Sequence, residues 1–157
     1  MARPGTVPGW LAPSTLIASA AGLGVSIYLT IAHYTTTVSL ACPENSTINC
    51  EKVTTSPESF VFGIPVAVLG LVYFVAMLVL NSPVAWRSTA PLIRWTRQLS
   101  AFVGAGFVCW LVYAELFKVD AICLWCTSVH VIDFALFALI TLGTVATSAA
   151  SRTRLAG

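Results

Sequence analysis

Four long apolar stretches constrain this chain more than any other feature of its sequence. They cover about residues 13–34, 60–80, 98–117 and 122–147. Each approaches the length of about 20 residues that a helix needs to cross the hydrocarbon core of a bilayer. Only 9% of the 157 residues are charged, whereas about a quarter of the residues in a typical soluble domain are charged. The sequence therefore predicts an all-α polytopic membrane protein, a single four-helix bundle with lipid as its solvent.

The positions of lysine and arginine predict the orientation of this bundle. If the N-terminus is cytoplasmic, the outer loops hold only Lys52 and Lys118. The inner segments then hold Arg3, Arg87, Arg94, Arg97, Arg152 and Arg154. The positive-inside bias therefore predicts that both termini are cytoplasmic and that residues 35–59 form a long outer loop. The net charge of +2 is too small and too dispersed to indicate nucleic acid as a partner.

Four of the five cysteines form two close pairs, and the predicted orientation puts both pairs outside. Cys42 and Cys50 lie in the first outer loop, and Cys123 and Cys126 lie where the second outer loop meets the fourth helix. Disulfides form and persist on that oxidising side of the membrane. Cys109 stands apart within the third stretch, where we interpret it as a packing residue.

Cys123 and Cys126 form a C-x-x-C motif at the start of a predicted helix. Positions i and i+3 lie on nearly the same face of a helix, so both sulfur atoms can join in one disulfide. The helix dipole stabilises a thiolate there, while Asp120, which is placed to cap the helix, opposes it by its charge. Two pairs facing one compartment can exchange a disulfide through a mixed-disulfide intermediate. A lipid-soluble quinone is the natural acceptor for the electrons, because the fourth helix leads into the bilayer.

Two other interpretations of the cysteines stay open at this point. Both pairs could be fixed disulfides that staple the outer loops of a structural protein with four spans. The four cysteines could also complete a zinc site. Because the spacing of Cys42 and Cys50 does not repeat the tight spacing of the second pair, we expect no metal.

Several short motifs carry a more specific pattern. They are Asn49-Cys50-Glu51-Lys52-Val53, Ser56-Pro57, Phe62-Gly63-Ile64-Pro65 and Cys123-Leu124-Trp125-Cys126. Together with the order of the cysteines, this pattern resembles the vitamin K epoxide reductase family, most closely its bacterial members, over about Val25 to Leu139. The resemblance implies a four-helix bundle around a quinone, in a bacterial plasma membrane, with its active cysteines on the extracytoplasmic side.

The resemblance also implies a role for each cysteine. Cys126 is expected next to the quinone ring, with Cys123 as its disulfide partner. Cys50 would attack Cys123, and Cys42 would exchange with an external dithiol. No thioredoxin-like segment follows the bundle in these 157 residues, so the resemblance implies a separate periplasmic thioredoxin-fold protein as partner. The quinone would be menaquinone or ubiquinone, and the oligomeric state is left open.

A quinone pocket is expected around the second cysteine pair. Its predicted residues are Ser56, Ser59, Phe62, Trp125, Cys126 and His130. Animal members of the family carry a quinone-contacting Tyr where this chain has His130, whose imidazole could hydrogen-bond a quinone carbonyl or supply a proton. Asp133 could orient that imidazole or bond to another helix, and Glu115 is expected at the membrane interface.

The predicted function is a membrane thiol–disulfide oxidoreductase. It oxidises the thioredoxin-fold partner and reduces the quinone, which supports disulfide formation in exported proteins. Reduction of a vitamin K type epoxide is the main alternative, since the chemistry is related. Another bacterial family of disulfide-forming quinone reductases also has four spans and two cysteine pairs, but its C-x-x-C lies in the first outer loop, the reverse of the order here.

Overall fold

The computed structural model describes residues 8–35 and 39–155, with side chains as far as residue 146. Both termini, on which the predicted orientation depends, lie outside the described residues, as do Arg3 and the side chains of Arg152 and Arg154. The helices are α1 (Leu11–Tyr34), α2 (Cys50–Thr54), α3 (Val66–Leu80), α4 (Pro83–Arg87), α5 (Pro91–Ala114) and α6 (Leu124–Leu155). Two short strands, β1 (Phe60–Val61) and β2 (Ile64–Pro65), a 3₁₀ turn at Pro57–Ser59 and a π-helical turn at Glu115–Val119 complete the described elements.

Three helices of the described chain are long and apolar enough to cross a membrane: α1, α5 with its extension to Val119, and α6 over Leu124–Ala146. Large apolar side chains cover their outward faces, and Ile17, Val131 and Leu142 are each more than 60% exposed. Exposed apolar surface of this kind is stable against lipid. The predicted class, a helical membrane protein, is thereby confirmed.

The fourth crossing is a different case, because α3 has only 15 residues. At 1.5 Å per residue this helix is about 22 Å long, which is shorter than the hydrocarbon core of about 30 Å. The count of four spans and the cytoplasmic placement of both termini therefore stay predictions.

The predicted second helix was placed too early, since residues 60–65 form a hairpin instead. Phe60 pairs with Pro65 and Val61 with Ile64 in antiparallel register. The turn between them has φ values of 52° at Phe62 and 79° at Gly63. A right-handed helix cannot continue through these left-handed residues, so α3 begins only at Val66.

The third and fourth helices are longer than predicted. Helix α5 begins at Pro91 rather than near residue 98, because proline suits the first position of a helix, where its missing N–H is not needed. The apolar pattern did not reveal this start, since Arg94 and Arg97 interrupt it. Helix α6 begins at Leu124 and continues to Leu155, past the expected end near residue 147.

The end of the bundle away from the cysteine pairs is built around Trp86. The guanidinium of Arg97, itself buried, lies 3.4 Å from the centre of the Trp86 ring and donates a hydrogen bond of 3.2 Å to the carbonyl of Leu80. The indole N–H of Trp86 donates to Thr15 Oγ1 at 3.1 Å. A buried cation over an aromatic face is favourable, so these contacts join α1, α3, α4 and α5 at this end.

Helices α1 and α3 approach closely at Gly22. A Cβ atom at this position would lie 2.2 Å from Cε1 of Phe74, whose side chain is almost fully buried. The ring of Phe74 therefore occupies the space that any larger residue would need. Gly24, on the same helix, has no such neighbour within 4 Å.

We expect Gly22→Ala to lower the free energy of unfolding by about 1–3 kcal/mol, the usual cost of an overpacked core. Gly24→Ala is the matched control, and it should be neutral or stabilising by up to about 1 kcal/mol, since alanine favours helix. Denaturation of the two variants in detergent, followed by circular dichroism, measures both effects. Equal stability of the two variants would contradict this account of the α1–α3 contact.

Candidate redox site

The two cysteine pairs meet at one end of the bundle. Cys42 and Cys50 form a disulfide. Cys50 and Cys123 are both fully buried, and they belong to one apolar cluster. Cys42 and Cys126 pack against the same cluster. The structure therefore brings together all four cysteines that the sequence singled out.

A backbone bridge holds the first loop on the segment before the C-x-x-C motif. The amide of Asn49 donates to the carbonyl of Ile122 at 3.1 Å, and the amide of Ile122 donates to the carbonyl of Thr47 at 2.9 Å. The side chain of Asn49 also accepts a hydrogen bond from the amide of Lys52 at 2.8 Å, so that Asn49 caps α2. Since α2 starts at Cys50, this cap fixes Cys50 beside the bridge.

Two side chains strengthen this attachment. Lys52 Nζ donates to the carbonyl of Asp120 at 3.2 Å. The indole N–H of Trp125 donates to the carbonyl of Ala41 at 3.0 Å, while the amide of Ala41 donates to the Tyr28 hydroxyl at 3.0 Å. The rings of Tyr28 and Trp125 lie 4.8 Å apart. Trp125, predicted to close the quinone pocket, therefore holds the first loop against α1 and α6.

The C-x-x-C pair begins α6, and Cys123 itself caps the helix. Its sulfur accepts a hydrogen bond from the amide of Cys126 at 3.2 Å, which is the contact that an N-cap side chain makes. The predicted cap, Asp120, is wrong, because this residue has left-handed backbone angles and α6 starts only at Leu124. The carboxylate of Asp120 therefore does not cap the N-terminus of α6.

The sulfur atoms of Cys123 and Cys126 lie 2.6 Å apart, with the Cys126 thiol donating to Cys123. Neither is bonded to another cysteine. The hydrogen bond from Cys126 lowers the pKa of the Cys123 thiol, against the opposing effect of burial. The pair can therefore open and close as a disulfide with little movement, and Cys123 is the sulfur on which a thiolate is favoured.

A cavity of about 310 Å³ starts beside Cys126 and extends between the helices. Its wall is mostly apolar. The side chains in its wall that can form hydrogen bonds or ionise are Ser26, His33, Thr54, Ser56, Glu58, Ser59, Tyr73, Glu115, Cys126, His130 and Asp133. Four of the six predicted pocket residues, Ser56, Ser59, Cys126 and His130, are thus placed along it, although Cys123 is not in its wall.

The other two predicted pocket residues lie elsewhere. Phe62 is fully exposed at the tip of the hairpin, and Trp125 takes part in the attachment of the first loop. Neither is in the wall of the cavity. The hydroxyl groups of Ser56 and Ser59 donate to backbone carbonyls at 2.7–2.9 Å, so neither offers its proton to a ligand in this arrangement.

Sequence reasoning placed three further residues wrongly or left them out. Glu115, expected at the interface, is only 7% exposed and lies in the cavity wall. Tyr73 is in the cavity wall as well, but sequence analysis did not single it out, because a tyrosine within an apolar stretch does not by itself indicate a cavity. Cys109, interpreted as a packing residue, is exposed on the outside of α5. Glu115 follows Val108 by seven residues and so continues the buried face of α5.

Within the described residues, no group of three or more His, Cys, Asp and Glu side chains is placed to hold a metal ion. The site thus consists of a disulfide, a second pair of thiols beside it, and a mostly apolar cavity that the second pair enters. These features define a helical membrane protein with a cysteine-based redox centre.

The family of this protein follows from a comparison of its sequence. The chain belongs to the vitamin K epoxide reductase family, whose model matches residues 13–141. The resemblance inferred from the short motifs is thereby confirmed. Members of this family are membrane oxidoreductases that use quinones. A comparison with the curated proteins gives no match.

The hydrogen bond between the two thiols gives a prediction that a titration can check. In a background with alanine at Cys42, Cys50 and Cys109, the variant Cys126→Ser keeps a hydroxyl donor beside Cys123, whereas Cys126→Ala removes it. Because the donor stabilises the thiolate, Cys123 should titrate at lower pH in the serine variant, as measured by ultraviolet thiolate absorbance. Identical titration curves would show that this hydrogen bond does not control the pKa.

Proposed function

We propose that the protein oxidises a separate thioredoxin-fold dithiol protein and passes the two electrons to a membrane quinone, menaquinone or ubiquinone. The new disulfides would serve exported proteins. One observation carries this proposal: Cys50 and Cys123 are buried in a single cluster, while Cys126 lies in the wall of a mostly apolar cavity. The two pairs are therefore arranged in series, from the loop to the interior of the bundle.

The first exchange takes place at Cys42. This residue is half-buried and Cys50 is fully buried, so a thiolate of the partner reaches the sulfur of Cys42 first. The attack forms a mixed disulfide with Cys42 and releases Cys50 as a thiolate. The second thiol of the partner then displaces Cys42, and the partner leaves with its own disulfide.

The second exchange transfers the electrons inward. When Cys123 and Cys126 are joined as a disulfide, the Cys50 thiolate attacks Cys123 and releases Cys126 as a thiolate. Cys42 then attacks Cys50, which restores the first disulfide and leaves the second pair reduced.

The last step occurs in the cavity. Oxidation of the Cys123–Cys126 dithiol to a disulfide releases two electrons and two protons, which are what a quinone needs to become a quinol. His130 is 5% exposed and lies one helical turn beyond Cys126 in the cavity wall. Its imidazole can therefore donate a hydrogen bond to a carbonyl of a quinone bound against Cys126.

The charges support a placement of the cysteine end outside the cytoplasm. The six arginines of the predicted inner segments contrast with Lys52 and Lys118 outside. Thiol exchange with an exported protein also requires an oxidising compartment. Both arguments lead to the same orientation in a bacterial plasma membrane.

Quinone reduction by the purified protein tests this function. With a reduced thioredoxin-fold protein as donor, the wild type should consume ubiquinone-1, and Cys126→Ala should lower the rate at least a hundredfold, because the electrons then have no route to the cavity. Cys109→Ala is the matched control, since it removes a free thiol outside the site, and it should keep the full rate. A Cys126→Ala variant with wild-type activity would rule out the proposed route.

The internal exchange can be tested by trapping it. In Cys126→Ala, the Cys123 thiolate can attack Cys50 in the Cys42–Cys50 disulfide and release Cys42 as a thiolate, and alkylation of the released Cys42 should trap the Cys50–Cys123 disulfide. Peptide mapping by mass spectrometry identifies the bond. If Cys126→Ala contained only the Cys42–Cys50 disulfide, the two cysteine pairs would not exchange with each other, and the proposal would fail.

A further inference from the structure

The cavity contains a second polar group that the steps above do not use. We propose that Tyr73 and Asp133 bind the quinone oxygen farthest from Cys126 and so select quinones whose two oxygens lie at opposite ends of the ring. This inference rests on the proposed function, because it assigns a further contact to the same ligand.

The first observation is the burial of two polar groups that have no partner beyond each other. Asp133 is 2% exposed and faces the buried hydroxyl of Tyr73. Neither group has another hydrogen-bond partner among the described residues. Buried polar groups with unused hydrogen-bonding capacity are costly in protein, and an ionisable group inside a membrane span marks a functional site. A ligand in the cavity would remove this cost.

The second observation is the position of this pair. A Cβ atom on Gly104 would lie 2.4 Å from the Tyr73 hydroxyl and 2.9 Å from Asp133 Oδ1, so the two groups converge beside this glycine. All three residues are in the cavity wall. The absence of a side chain at Gly104 thus leaves the two polar groups open to the cavity.

The third observation is the spacing along α6. Cys126, His130 and Asp133 are all in the cavity wall, at the spacing of residues that share one helical face. The seven positions between Cys126 and Asp133 correspond to about 10 Å along the helix axis. A six-membered ring with one contact at each end fills such a length. A ring next to Cys126 therefore presents its far oxygen to Tyr73 and Asp133.

The chemistry of the two groups suits both redox states of this ligand. A quinone oxygen only accepts hydrogen bonds, and the Tyr73 hydroxyl can donate one. The quinol product carries a hydroxyl at the same place, and the oxygens of Asp133 can accept from it. A tyrosine beside a carboxyl group therefore offers one donor and one acceptor where the ligand needs each in turn.

A pair of isomeric quinones separates this proposal from a structural role. In α-lapachone the two carbonyl groups lie at opposite ends of the ring, and in β-lapachone they are adjacent, so only the first isomer can reach both ends of the site. Tyr73→Phe should raise the KM for α-lapachone about tenfold, the effect of one lost hydrogen bond to a ligand, and Asp133→Leu should raise the inhibition constant of its quinol by a similar factor. The KM for β-lapachone should change less than twofold.

Two further variants complete the experiment. Asp133→Asn retains an acceptor oxygen and should restore most of the affinity for the quinol of α-lapachone. Asn81→Leu replaces another buried polar residue, which is not in the cavity wall, and it should leave the KM for both isomers unchanged. Its effect on stability provides the reference for that of Asp133→Leu.

The outcomes are distinct. If Tyr73→Phe raises the KM for both isomers equally, or if Asp133→Leu leaves inhibition by the quinol unchanged, the pair only supports the fold, and this inference is wrong. An unchanged KM for α-lapachone in Tyr73→Phe, which retains the ring, contradicts it as well, even if Asp133→Leu does not fold. A wild-type protein that reduces neither isomer with the thioredoxin-fold donor would instead refute the proposed function itself.

Discussion

The backbone bridge between Ile122 and the segment Thr47–Asn49 is the contact on which the redox site depends. Its two hydrogen bonds contribute only about 1 kcal/mol each to stability. Their main effect is geometric, because they hold a loop cysteine and Cys123 in one preformed cluster. Holding two reacting groups in place in this way replaces a large part of the entropy that their meeting would otherwise cost.

Buried polar groups occur at both ends of the bundle. At the end built around Trp86, the indole N–H is bonded to Thr15, and Asn81 Nδ2 donates to Ser19 Oγ at 3.1 Å. These contacts hold helices together, although Asn81 Oδ1 and Arg97 Nε have no partner among the described residues. Tyr73 and Asp133 differ from these groups in position, because they lie in the wall of the cavity.

Much of this arrangement could be predicted from the sequence. The apolar stretches revealed the membrane class because length and lack of charge leave few alternatives. The cysteine pairs were found because their chemistry depends on residue type and spacing. Helix limits were less certain, since the hairpin at residues 60–65 depends on backbone angles at Phe62 and Gly63. An apolar turn of this kind has the same hydropathy as a helix.

The cavity was harder to predict than the cysteines. The positions of Ser56, Ser59 and His130 came from the family resemblance, whereas Glu115 and Tyr73 had no motif of their own. Glu115 lies on the buried face of α5, seven residues after Val108, and Tyr73 is placed by the packing of α3 against Gly104. Both placements depend on contacts between distant parts of the chain, and a single sequence contains no direct record of such contacts. Phe62 shows the opposite error, because its motif suggested the pocket but the turn directs it outward.

The hydrogen bond from the Cys126 amide to the sulfur of Cys123 has a mechanical consequence. A thiolate is a far better acceptor than the neutral sulfur of a disulfide, so the first turn of α6 is capped most firmly when the pair is reduced. Reduction of the pair therefore tightens, and oxidation loosens, the beginning of a helix whose next turns form one side of the cavity. The charge on a single sulfur atom is in this way transmitted to the shape of the cavity.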